Sequence, residues 1–153
     1  MRIYLGSDHA GFQLKSHLIS KLNELGHDVV DCGAHTYAPD DDYPPFITDT
    51  ARRTVADPGS FGIVIGGSGN GEAMAANKVR GARAALVWNI ETARLAREHN
   101  DANIISIGAR QHTLFEAAHL VDAFLSTSFS HDPKHARRIQ MLDEAIPTPP
   151  TTN

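Results

Sequence analysis

A single cysteine, Cys32, leaves this chain without an internal disulfide, so a reducing compartment, the cytoplasm, is the expectation. No apolar run approaches the roughly 20 residues that a membrane-spanning helix needs. No signal-peptide pattern leads into Arg2-Ile3-Tyr4-Leu5, and no membrane partner is expected. Lysine and arginine form no run, and the formal net charge is −4, which argues against a nucleic-acid partner. Metal-ligand patterns are missing as well: nine histidines include no His-Glu-x-x-His and no Cys/His cluster. His131 and His135 share i,i+4 spacing, but Pro133 starts a helix between them. No metal site is expected. Internal repeats are also absent, and 153 residues suffice for one domain with one substantial core, expected over 1–146.

What is present is alternation. Strands are predicted at 3–5, 29–31, 62–65, 84–87 and 104–107, and helices at 12–25, 45–56, 71–78, 91–100 and 113–126. The alanines of 84–87 suit a helix equally well. Alternating β and α elements point to a parallel sheet covered on both faces. The predicted fold is α/β, a Rossmann-like three-layer sandwich with five parallel strands in the order 2-1-3-4-5. An additional C-terminal helix is predicted over 133–145, with Asp132 as N-cap and Pro133 in its first turn. It must pack on this sheet or on a neighbouring subunit. The ending 147–153 has too little apolar content to order itself, and the loop 33–44 is a candidate lid or rim.

The densest signal is Gly66-Gly67-Ser68-Gly69-Asn70-Gly71-Glu72, entered from the β-branched run Ile63-Val64-Ile65. Such glycines let main-chain N–H groups converge on an anion or a developing oxyanion. A carboxylate stands at the lip. Donors for negative charge beside an acid/base group suit proton transfer next to a carbonyl. Nucleotide readings fit poorly. The dinucleotide fingerprint read from Gly67 puts Glu72 where a glycine or alanine belongs. Gly66 and Gly71 match P-loop spacing, but Glu72-Ala73 replaces Lys-Ser/Thr and would repel a triphosphate. The plain alternative for Glu72 is a first-turn acid favoured by the helix dipole. Asp8 and His9 have a plain alternative too, as turn residues bonded locally.

With strands one and three adjacent at the switch in strand order, Asp8 and His9 converge with the segment from Ser68 to Glu72. Arg110 follows the fifth strand at the same edge, and Lys134, His135, Arg137 and Arg138 crowd the last helix. His99-Asn100 closes the fourth helix, at the opposite end of the sheet. To act at this site, His99 must reach a partner's, which implies a dimer.

Six segments, taken together, resemble a known family. They are Gly6-Ser7-Asp8-His9-Ala10-Gly11-Phe12, Asp42-Tyr43-Pro44, the glycine loop, Ala75-Ala76-Asn77-Lys78, Arg97-Glu98-His99-Asn100, and His135 with Arg138. In order and spread they are similar to the type B ribose-5-phosphate isomerases, within the ribose/galactose isomerases. The resemblance implies interconversion of ribose 5-phosphate and ribulose 5-phosphate through a cis-enediolate, with no metal or organic cofactor. It assigns Glu72 as base, with Ser68, Asp8 and His99 as further catalytic groups. His9, Tyr43 and Asn100 would contact the sugar phosphate, with the loop residues Gly67, Gly69, Asn70 and Gly71. Arg110, Arg138 and Lys134 would hold phosphate. Homodimers with shared active sites, or tetramers, are the implied assembly.

The chain departs from one branch of that family. Many relatives carry a cysteine base at the first loop position, which here is Gly66, while another branch uses a glutamate at the position of Glu72. Cys32 lies outside the motif. Lys134 replaces a common arginine, keeping charge but losing the bidentate fork. Other aldose phosphates of four or six carbons, or a non-catalytic sugar-phosphate-binding role, are the competing readings.

Overall fold

The computed structural model describes residues 1–145. The ending 147–153, expected to be frayed, and the predicted domain limit at 146 lie outside the described residues. Five parallel strands form one sheet: β1 (Arg2–Ser7), β2 (Asp28–Asp31), β3 (Phe61–Gly66), β4 (Ala84–Leu86) and β5 (Ile104–Gly108). Six helices connect and follow them: α1 (Phe12–Glu24), α2 (Tyr43–Ala56), α3 (Asn70–Ala76), α4 (Ile90–Asn100), α5 (Leu114–Ser126) and α6 (Pro133–Glu144). The α/β class and the parallel sheet are those read from the sequence.

The strand order is not. It runs β2-β1-β3-β5-β4, so the chain passes over β5 before returning to it. Burial explains the exchange. All five residues of β5 are buried, and Ile104, Ile105 and Ile107 are fully so. The three residues of β4 are only partly buried, and two are alanines. A strand rich in isoleucine gains most from neighbours on both sides, whereas a short, small-residue strand suits an edge. β1 and β3 stay adjacent, with Leu5 opposite Ile63, and β3 pairs with β5 until Gly66 meets Gly108.

Alternation along the strands builds two cores. Ile63, Ile65, Ile105 and Ile107 face α1, α4 and α5, where Leu14, Leu18 and Leu22 meet them at helical spacing. Val64 and Ile104 face α2 and α3, against Ile47, Ala51 and Ala76. Capping boxes start two helices, Asn89 with Thr92 for α4 and Thr113 with Glu116 for α5. Asp132 caps α6 as predicted, accepting the Lys134 main-chain N–H at 2.9 Å. α6 packs against the end of α4, where the His99 and His135 rings lie 4.3 Å apart. α2 begins two residues before its predicted start of 45, which brings Tyr43 into its first turn.

Candidate active site

At the carboxyl edge of the sheet, the ends of β1, β3 and β5 enclose a cleft of about 380 Å³. Asp8, His9, Tyr43, Gly67, Ser68, Gly71, Glu72 and Arg110 line it. Main-chain bonds lace its floor: Ala109 N–H donates to Gly66 O at 2.7 Å and Arg110 N–H to Gly67 O at 3.1 Å. The loop turns into α3 through Gly69, whose φ of 81° is a left-handed conformation open to glycine. Ser106 of β5 donates its hydroxyl to the Gly69 carbonyl at 2.7 Å and ties that turn to the sheet.

Glu72 stands in the first turn of α3, only 4% exposed. Its carboxylate lies against Gly66, and a Cβ built on Gly66 would overlap it. Burial pushes the Glu72 carboxyl above the ordinary carboxylate range. Its own main-chain amide and that of Gly69 oppose the rise, and the Asp8 charge adds to it. The dipole reading of Glu72 is thus incomplete, because the group is held in a desolvated place facing a cleft. Ser68 is exposed, and its hydroxyl oxygen accepts from the Asn70 side-chain amide at 3.2 Å and main-chain N–H at 3.3 Å. Those acceptances leave the Ser68 proton to be donated into the cleft.

Asp8 is buried and caps the short turn His9–Gly11, accepting from the amides of Ala10 at 3.0 Å and Gly11 at 3.3 Å. His9 lies between two carboxylates. Its Nδ1 is 2.7 Å from Asp41 Oδ1 and 3.8 Å from Asp8 Oδ2. One ligand-type atom each from Asp8, His9 and Asp41 fall within 4.8 Å of one another, a grouping that no linear spacing announced. The short His9–Asp41 bond already engages two of the three.

Other predicted residues fall elsewhere. Gly69 is buried under the loop, and Asn70 turns to Ser68. His99 and Asn100 end α4 at the amino edge of the sheet, where Asn100 lines a separate cleft with Arg83 and Asp143. Arg138 is exposed on α6, and Lys134 pairs with Asp132 at 3.3 Å. Burial lowers His135, and the neighbouring His99 lowers it further. Cys32 is buried, which pushes its thiol up and keeps it protonated. Two residues escaped the sequence reading. Gln111, which lines the cleft, carried no signal. Asp41, bonded to His9 behind the cleft, was one of three consecutive acids in the rim loop.

The model of the ribose/galactose isomerase family matches residues 3–142. The chain belongs to the ribose/galactose isomerase family. Within that family it is 61% identical over 144 residues to a ribose-5-phosphate isomerase B of Mycolicibacterium paratuberculosis, covering 94% of this chain and 91% of the relative. It is 59% identical to the Mycobacterium tuberculosis ribose-5-phosphate isomerase B, covering 94% and 89%. A solved ribose-5-phosphate isomerase B from Mycoplasma genitalium, with bound ribulose-5-phosphate, superposes with a TM-score of 0.90 at 38% identity, covering 94% and 95%. This member of the ribose/galactose isomerase family is an aldose–ketose isomerase. Among the described residues no helix is long and apolar enough to cross a membrane.

Proposed function

We propose that the chain interconverts ribose 5-phosphate and ribulose 5-phosphate, with Glu72 as the base. The observation that carries this reading is the Glu72 carboxylate, buried beside Gly66 and facing a cleft lined by Gly67, Ser68, Gly71 and Arg110. Glu72 removes the proton from C2 of the open aldose and returns it to C1. One carboxylate serves both carbons because they are adjacent. Negative charge that develops on the carbonyl oxygen is held by the Ser68 hydroxyl and the loop amides. A carboxylate raised by burial is a stronger base once ionised, which suits abstraction of a carbon-bound proton.

Arg110 binds phosphate at the same edge. The remaining groups, His99 with Asn100 for ring opening and Arg138 with Lys134 for phosphate, reach the cleft from a second subunit in a homodimer. The glutamate thereby takes the role that a cysteine holds in the other branch.

The deciding experiment incubates the protein with ribose 5-phosphate in deuterated water. Ketose formation with deuterium entering carbon from solvent is the expected result. No turnover with ribose 5-phosphate, beside turnover with a four- or six-carbon aldose phosphate, would reassign the substrate. Binding without turnover of any of them would make the chain a sugar-phosphate-binding protein.

A further inference from the structure

Asp41 comes from the irregular segment between β2 and α2, far from the glycine loop in sequence, yet it makes the closest polar contact to the His9 ring. Asp41 Oδ1 receives the His9 main-chain N–H at 2.9 Å and lies 2.7 Å from His9 Nδ1. A single oxygen thus holds both the backbone and the ring of one residue, and this fixes the side-chain rotamer. Asp8 does not compete for that task, because its Oδ1 serves the Ala10 and Gly11 amides and its Oδ2 is 3.8 Å from the ring.

An ionised carboxylate only accepts, so Nδ1 must carry the hydrogen in this bond. Nε2 is then the ring nitrogen left for the cleft, which His9 lines together with Glu72 and Arg110. Asp41 also bears a cost. Its Oδ2 is buried and has no hydrogen-bond partner among the described residues. A half-satisfied buried carboxylate is a poor stabiliser of a rim loop, and it makes physical sense where its other oxygen governs a ligand-facing ring.

We infer that Asp41 is a positioning residue, which sets the tautomer and orientation of His9 so that Nε2 meets the sugar phosphate. The inference rests on the sugar-phosphate reading of the cleft. Asp41 does not touch substrate itself; it acts through His9. The rim loop therefore takes part in substrate recognition by way of the turn after β1.

A double-mutant cycle on the full chain tests this. Asp41→Ala should raise KM for ribose 5-phosphate about 10–100-fold, the scale of loss when a positioned group is displaced, with a smaller change in kcat. In a His9→Ala background, Asp41→Ala should change KM little further. Asp41→Asn, nearly isosteric, should recover part of the loss, since its amide oxygen still accepts Nδ1–H. Equal KM penalties with and without His9 would overturn the inference. Nitrogen-15 spectra of the His9 ring give a readout independent of turnover: a protonated Nδ1 in the parent, lost as the fixed form in Asp41→Ala. An Nδ1 without its proton in the parent would also overturn it. If no sugar phosphate is turned over, the functional reading falls while the spectra still decide whether Asp41 sets the ring.

Discussion

The two edges of the sheet carry similar chemistry and do different things with it. At the carboxyl edge, Asp8, His9, Tyr43, Ser68, Glu72 and Arg110 converge on one cleft. At the amino edge, His99, His135, Lys134 and Arg138 gather where α4 meets α6, around two imidazoles tilted by 38°. The first group lines a concavity at the ends of three parallel strands. The second lies on and between helices, with Lys134 and Arg138 exposed and Lys134 paired to its own helix cap. Charged and titratable side chains alone do not make a site. What distinguishes the carboxyl edge is the backbone beneath it, where parallel strands end together and the loop after β3 is bonded to the turn after β5. The cleft at the amino edge, lined by Asn100, Arg83 and Asp143, includes none of His99, His135, Lys134 or Arg138.

The largest test of that contrast removes the proposed base. Glu72→Gln should lower kcat about 10²–10⁴-fold, the range for a positioned proton-transfer group, in an assay of ketose formation. Near-parental turnover would strip the carboxyl edge of its claimed role. Next comes the dependence of one edge on the other. Mixing inactive Glu72→Gln and His99→Ala subunits, with exchange verified, should restore about one quarter of the parental sites, because half the dimers are hybrids and each hybrid has one intact site. Absence of rescue would mean that the amino-edge residues do not serve a neighbour's cleft.

The smallest effect concerns stability. Burial raises Glu72 above its ordinary range, so the folded chain holds that proton more tightly than the unfolded chain. Stability from this group is therefore lost as pH rises from about 4.3, the ordinary glutamate value, through the raised one. Glu72→Gln should melt at a higher temperature than the parent at neutral pH. The gain should fade below the ordinary carboxylate range. A constant difference across that window in thermal melts would contradict the burial effect.

Much of this was legible in the residues themselves, and the limits have physical causes. Hydrophobic periodicity exposed the alternation of strands and helices, because a parallel sheet needs apolar runs and its crossovers need amphipathic helices. Strand order left a weaker trace. Only the contrast between Ile104-Ile105-Ser106-Ile107 and Ala84-Ala85-Leu86 hinted which strand deserved the interior. The glycine loop was readable because glycine marks backbone that must bend or approach closely. Asp41 was not, since three consecutive acids in a loop normally belong to a solvated surface, and only the fold shows which of them turns inward. Gln111 enters the cleft by following Arg110 around the end of β5, a placement without any compositional signature.

The missing side chain at Gly66 has a consequence for how such a site changes over time. The volume that a side chain there would fill is already taken by the Glu72 carboxylate, so the two positions compete for one space. A lineage cannot acquire a bulkier residue at 66 while keeping Glu72 where it is. A side chain at 66 requires the Glu72 carboxylate, the end of a flexible side chain, to turn away from it. The identity of residue 66 and the position of the Glu72 carboxylate are therefore coupled.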